Sequence, residues 1–157
     1  MTAFAKARFL ALIVPAALMA GALGSQFIGG LFPCEMCHWQ RWPHEAAIVL
    51  ALFAFAFRNA SAQRWAVALA ALAIVASGAI GAFHAGVEYS WWEGLTTCSQ
   101  PLGMSEGDFM ENVMKAPLVR CDEAQWTLFG VSLAGFNALI SFGAGFAIFN
   151  LLRSHRI

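Results

Sequence analysis

The sequence predicts an all-α polytopic membrane protein: a four-transmembrane-helix bundle in one domain, residues 1–157, with a long outer loop carrying a short interfacial helix. Three observations predict it. First, hydrophobic residues make up 60% of the chain and charged residues 11%, against about 45–50% and about 25% in soluble domains. A small soluble domain must cover a large surface with polar side chains, and nine acids with nine bases cannot do so here. Second, the chain holds four stretches near the ~20 apolar residues that cross a bilayer. Third, its charges segregate to opposite ends of those stretches. The net charge of zero gives no electrostatic basis for binding nucleic acid.

The spans follow in order. Span 1 runs from about residue 9 to 31 and holds no charged side chain. Its basic start resembles a cleaved leader, but the uncharged run continues to Pro33, longer than a leader core, so it reads as a retained helix. Span 2 covers about 38–57 and must include Arg41 and Glu45 at its outer end. Span 3 covers about 65–87 and span 4 about 126–152. The runs lack the alternation of barrel strands, so helices must satisfy the backbone in lipid. Span 3 also carries two adjacent stripes of small residues: Ser77, Gly81 and Ala85, and Gly78, Ala82 and Gly86. Such stripes let helices approach closely.

Lys6, Arg8, Arg58, Arg64, Arg153 and Arg156 lie on one side of the spans, and every Asp and Glu lies on the other. The excess of basic residues places both termini and the 58–64 loop in the cytoplasm. Trp39, Trp42, Trp91, Trp92 and Trp126 mark outer helix ends and Trp65 an inner one, as in an aromatic belt. The outer loop, about 88–125, is long enough to suggest a function. Within it Ser105–Met114 reads as a helix with Phe109, Met110, Val113 and Met114 on one face, suited to lying on the membrane surface.

All four cysteines fall on the outer side: Cys34 and Cys37 in a C-x-x-C between spans 1 and 2, and Cys98 and Cys121 in the outer loop. An even count on the oxidising face points to disulfide chemistry. Pro33 precedes the first pair and a helix follows, so unpaired N–H groups and the helix dipole favour a thiolate there. Arg41 lies one turn beyond Cys37, where its cation favours that thiolate and can bind a ligand carbonyl. A two-residue spacing suits reversible redox cycling better than stapling. Three alternatives stand beside this reading. Cys34-Glu-Met-Cys37-His38 matches the C-x-x-C-H haem c attachment pattern, although haem would leave the second pair unexplained. A zinc site wants closer pairs, so no metal is expected. A non-catalytic four-span scaffold with structural disulfides would explain Cys98 and Cys121 but not a C-x-x-C at a helix mouth.

These residues carry a family resemblance. Four spans, Pro33-Cys34-x-x-Cys37 followed by Arg41, a second cysteine pair, and the stretch from Val119 to Leu139 entering span 4 resemble the disulfide bond formation protein B (DsbB) family. The resemblance covers nearly the whole chain. It implies a thiol:quinone oxidoreductase of the bacterial inner membrane that reoxidises a periplasmic, DsbA-like thioredoxin-fold oxidase. Electrons would pass to ubiquinone or menaquinone. By position, Cys98 would meet the partner's thiolate, Cys121 would be its pair, and Cys34 and Cys37 would reoxidise that pair. Cys37 and Arg41 would then face the quinone, with His84 as a further candidate for quinone binding or proton relay. His84 also reads as an ordinary interfacial histidine, with Glu88 one turn on to hold its tautomer, and Glu45 reads as a salt-bridge partner of Arg41. Two features depart from the best-known members. Glu35 places an acid between the cysteines, opposing thiolate formation, and His84-Ala-Gly-Val-Glu88 with Trp91-Trp-Glu-Gly94 suggests a subfamily with a dedicated partner.

Overall fold

The computed structural model describes residues 1–95, 100–101 and 118–154. Among these residues four helices follow one another: α1 (Ala3–Phe27), α2 (Glu35–Ala56), α3 (Ala60–Glu88) and α4 (Leu133–Ser154). Two-residue strand pairs occupy the end of the bundle where α1 finishes and α2 begins, the outer end by the charge pattern of the sequence. Gln100–Pro101 (β1) pairs with Leu118–Val119 (β2), and Thr127–Leu128 (β3) with Val131–Ser132 (β4), both antiparallel.

Local chemistry sets the helix ends. The Thr2 hydroxyl accepts the Ala5 N–H at 3.1 Å and starts α1. The chain leaves α1 through Gly29 and Gly30, the latter at φ +67°, a conformation glycine adopts without penalty. Span 1 was expected to reach about residue 31, and this turn ends the helix at Phe27 instead. The Asn59 side chain accepts from Ser61 and Ala62 N–H at 2.8 and 3.2 Å, so α3 begins ahead of the expected span. The largest difference lies at span 4, expected from about Trp126. There Phe129 (φ +52°) and Gly130 (φ +79°) form a two-residue turn between β3 and β4, and both positive dihedrals suit a tight hairpin. Ser132 then caps α4, its hydroxyl accepting the Gly135 N–H at 3.1 Å. Tyr89 clamps the hairpin: its hydroxyl donates to the Gly130 carbonyl and accepts the Ser132 N–H, each at 2.9 Å.

The helices form a ring in chain order. α1 packs on α2 and α4, α3 packs on the same two, and α1 and α3 meet sparsely across the centre. Short connections force α1 and α2, and α2 and α3, antiparallel. Contacts agree: the start of α2 meets the end of α1 through Arg41 and Ala22, and the start of α3 meets the end of α4 through Arg64 and Leu152. Three helices, α1, α3 and α4, are long and apolar enough to cross a membrane. α2, with Arg41, His44 and Glu45 in its first half, is not among them. The stripes on α3 do bring helices close. A Cβ at Gly78 would stand 2.9 Å from the Ser141 Cβ, and one at Gly81 would stand 2.9 Å from the Asn137 amide. The expected helix Ser105–Met114 and Cys98 lie outside the described residues.

Candidate functional site: a dithiol at the mouth of α2

Cys34 is the N-cap of α2. Its sulfur accepts the Cys37 N–H at 3.3 Å, so the C-x-x-C forms the first helical turn. Cys34 and Cys37 are thiols, and the Cys34 S–H donates to the Cys37 sulfur at 2.9 Å. That hydrogen bond and burial, with the charge of the Cys37 and Cys121 sulfurs, push the Cys34 thiol well above its usual range. Cys34 therefore keeps its proton at neutral pH, and Cys37 is the sulfur placed to carry charge at the helix N-terminus. Glu35 points outward and is exposed, where solvent screens its opposition to a thiolate.

A second shell closes around Cys34. Cys121 is buried in one cluster with Cys34, Met36 and Val87, so this later cysteine packs beside the first sulfur of the C-x-x-C. The His84 Nε2 lies 3.5 Å from the Cys34 sulfur and 3.8 Å from Glu88 Oε1. The histidine that meets the dithiol is thus His84 from α3, not His38, which follows Cys37 in sequence. The donor atoms of Cys34, Cys37 and His84 fall within 4.8 Å of one another. That set could also hold a thiophilic metal ion.

Beside the dithiol a cavity of about 210 Å³ opens between the outer ends of α1, α2 and α4. Leu18, Met19, Phe32, Trp126, Leu133 and Phe136 give it apolar walls, and Cys34, Cys37, Arg41 and His84 line its polar side. Arg41 donates to Gln26 Oε1 at 2.7 Å and to the Ala22 carbonyl at 3.2 Å. It thus brings positive charge to the carboxyl end of α1, which has no basic residue of its own in its last turn. The expected pairing of Arg41 with Glu45 does not form, because the guanidinium reaches across to α1 instead.

Sequence reasoning missed a polar network that reaches this wall at Gln40, His44 and Asn137 and runs back between the helices. The Ser77 hydroxyl donates to the Gln40 carbonyl at 2.7 Å. The Gln40 amide donates to the Met36 carbonyl at 3.1 Å and to His84 Nδ1 at 2.8 Å. Asn137 donates to Gln40 Oε1 at 2.9 Å and accepts from His44 Nε2 at 2.9 Å and the Ser141 hydroxyl at 3.0 Å. Gln40, His44, Ser77, His84 and Ser141 are buried. The only sequence signal for it was the presence of Gln, His and Asn inside apolar runs, where polar residues are costly and functional by default.

The model of the DsbB family, "Disulfide bond formation protein DsbB", matches residues 5–151. Proteins named "Disulfide bond formation protein B" are similar throughout. The one from Verminephrobacter eiseniae (strain EF01-2) is 35% identical, covering 92% of this chain and 82% of its own. The one from Methylococcus capsulatus (strain ATCC 33009 / NCIMB 11132 / Bath) is 33% identical, covering 88% and 86%. The one from Acidovorax sp. (strain JS42) is 31% identical, covering 83% and 78%. No solved structure matches the chain. A C-x-x-C capping a helix at the outer end of a membrane bundle, and a family match over nearly the whole length, lead to one conclusion: the chain belongs to the DsbB family of membrane disulfide bond formation proteins.

Proposed function

We propose that this protein is a quinone-dependent thiol oxidase of the bacterial inner membrane, with all four helices crossing the bilayer and both termini in the cytoplasm. It reoxidises a periplasmic dithiol oxidase of thioredoxin fold, DsbA-like or dedicated to this subfamily, and passes the electrons to ubiquinone or menaquinone. One observation carries the reading: both sulfurs of the C-x-x-C line an apolar cavity together with Arg41. Apolar walls with a few convergent polar groups are what a flat, lipid-soluble ring with carbonyl oxygens requires, so the residues present fit a quinone.

The partner's thiolate attacks Cys98, breaks the disulfide between Cys98 and Cys121 and leaves Cys121 as a thiolate. The partner's second thiolate then attacks its own sulfur in that mixed disulfide, so the partner leaves as a disulfide and Cys98 is freed. The outer dithiol so formed is reoxidised by the inner disulfide. Cys121, buried against Cys34, attacks the Cys34 sulfur and Cys37 leaves as a thiolate. Cys98 then attacks Cys121, and Cys34 leaves in turn. Each step forms one S–S bond and breaks another by thiolate attack, as exchange requires. Closing Cys34–Cys37 again releases two electrons and two protons, which a bound quinone accepts. Arg41, which lines the cavity with Cys37, would hold a ring oxygen of the quinone and favour negative charge there.

The test is thiol labelling of the purified protein in lipid after mild reduction, with and without added quinone. Adding quinone should return Cys34 and Cys37 to the unlabelled state in the native protein. In Cys37→Ala the quinone should reoxidise nothing, while a mixed disulfide at Cys98 still forms. Cysteines that stay labelled in the native protein after quinone is added would leave a scaffold with structural disulfides as the better reading.

A further inference from the structure

The hydrogen bonds behind the dithiol are directional, and together they fix the protonation of His84. The Met36 carbonyl can only accept, so the Gln40 nitrogen must face it. The Ser77 carbonyl can only accept, so the Asn137 nitrogen must face Ser77, at 3.3 Å, and with it Gln40 Oε1, at 2.9 Å. Both amides are thereby oriented by main-chain partners, without reference to the histidine. The Gln40 nitrogen also faces His84 Nδ1 at 2.8 Å. An N–H pointing at Nδ1 requires Nδ1 to be the bare, accepting nitrogen of a neutral imidazole. The proton then sits on Nε2. That nitrogen faces the Cys34 sulfur at 3.5 Å, Glu88 Oε1 at 3.8 Å and the Cys121 backbone, a set of groups that accept.

We propose that Gln40 is a positioning residue that locks His84 as a hydrogen-bond donor to the Cys34 sulfur. His84 in this state is not a base: its one bare nitrogen is occupied by Gln40. Resting on the relay described above, this assigns His84 a definite task. Cys34 carries negative charge twice in a cycle. It does so once when Cys98 attacks Cys121, the Cys34–Cys121 bond breaks and Cys34 leaves as a thiolate. It does so again when Cys34 gives up its proton as the Cys34–Cys37 bond closes, the two electrons and two protons released being those that a quinone in the cavity would take up. A fixed N–H beside that sulfur stabilises the charge in both steps, as preorganised donors do wherever charge develops. At Cys34 the Cys37 N–H, at 3.3 Å, is one such donor, and the His84 ring brings a second from α3. Asn137 and Ser77 hold Gln40 in place. Gly81 makes the room, since a Cβ there would stand 2.9 Å from the Asn137 nitrogen and 3.1 Å from Gln40 Oε1.

The test has two arms. In the first, the native protein labelled with nitrogen-15 at histidine is read in lipid nanodiscs, and the His84 signals are identified by their loss in His84→Phe. The expected spectrum is the neutral ring with its proton on Nε2; a proton on Nδ1 would overturn the proposal, and this arm needs neither quinone nor a Gln40 variant. In the second, turnover is measured with dithiothreitol as thiol donor and a short-chain ubiquinone as acceptor. Gln40→Met, which keeps the side chain's length and removes its amide, should show a mixture of ring tautomers. Its kcat should fall on the order of tenfold to a hundredfold, the worth of one hydrogen bond to a charged group, with the KM for quinone little changed. In a His84→Phe background the same substitution should cost nothing further, because Gln40 acts through the ring. Additive losses in the double variant would return Gln40 to a packing role. A native protein that reduces no quinone would overturn the proposed function and leave the ring spectrum to decide this inference.

Discussion

The two halves of the bundle are built from different materials. In the inner half, the core shared by the four helices is almost wholly alanine, with Ala7, Ala11, Ala47, Ala51, Ala54, Ala70 and Ala71 fully buried and Val67, Ile74 and Ile148 filling the remaining space. In the outer half, the same helices bury Gln40, His44, Ser77, His84 and Ser141, and the hairpin adds Ser132. In lipid the hydrophobic effect does not drive helices together, and association rests on close packing and interhelical hydrogen bonds. The inner half uses the first device. Small side chains let the backbones approach, and one large residue per layer closes the gap. The outer half uses the second, and one branch of its hydrogen bonds ends at His84, beside the Cys34 sulfur. The difference teaches that stability and chemistry reside in separable layers of one bundle, and the two can be perturbed one at a time.

The largest expected effect that would sharpen this contrast lies in the inner half. Ile74 is fully buried among α3's neighbours and is one of the largest fully buried side chains. Ile74→Ala removes several methyl and methylene groups from a site where alanine neighbours have little with which to collapse inward. The expected loss is about 2–5 kcal/mol of stability, read as a lowered unfolding midpoint in detergent. Turnover per folded molecule, and the quinone KM, should be unchanged. A changed KM at constant folded fraction would mean that packing in the inner half reaches the cavity, and the two layers are not separable.

Arg41 gives the converse, with a smaller effect. Its guanidinium lines the cavity and also ties α2 to the end of α1 through Gln26 and Ala22. If the proposed function holds, Arg41→Ala removes a charge-assisted contact to a ring oxygen, so the quinone KM should rise by the equivalent of about 1–3 kcal/mol. Arg41→Lys keeps the charge and loses the planar fork, so its rise should be smaller. The measurement is steady-state reduction across a quinone titration, with the folded fraction determined in the same preparation. If KM stayed put while the unfolding midpoint fell, Arg41 would be a tie between α1 and α2 and no part of the site.

Features made by neighbours in sequence were legible in advance. The C-x-x-C, the helix after it and Arg41 one turn on all lie within a few residues, and the helix does place Cys37 and Arg41 on the cavity wall. The small residues on α3 predicted close approach, and Gly78 and Gly81 do lie against α4. What required three dimensions stayed hidden. Gln40, Ser77 and Asn137 come from three helices, no periodicity links them, and each alone reads as one polar residue in an apolar run. His84 was visible as a candidate, but its contact with Cys34 depends on α2 and α3 lying antiparallel. The start of α4 was misplaced for a different reason. From Trp126 onward the chain is apolar enough to read as one span, and composition does not reveal a turn whose first residue is Phe129. Tyr89, a residue from the end of α3, fixes that turn from outside by bonding Gly130 and Ser132.

That corner carries the smallest expected effect, and it asks to which layer the hairpin belongs. Ser132 is buried and sits where the hairpin passes into α4; its hydroxyl accepts the Gly135 N–H and so satisfies one of the donors that a helix start leaves unpaired. Ser132→Ala removes that cap and with it the hydroxyl that meets the Glu88 carboxyl group. The Ser132 N–H still donates to Tyr89, and the Gly130 carbonyl still accepts from it, so the turn should persist while the first turn of α4 frays. The expected cost is about 1 kcal/mol. Amide hydrogen exchange should show faster exchange at the first residues of α4, with the α3 amides around His84 unaffected. The fraying would stop short of Asn137, whose side chain is held by Gln40 and Ser77, and the ring protonation of His84 should stay as it is in the native protein. A shift of the His84 ring signals in Ser132→Ala would show that the hairpin, through Glu88 beside the ring or through the first turn of α4 and Asn137, belongs to the layer that does chemistry, and that the boundary between the two halves lies further out than the helices themselves.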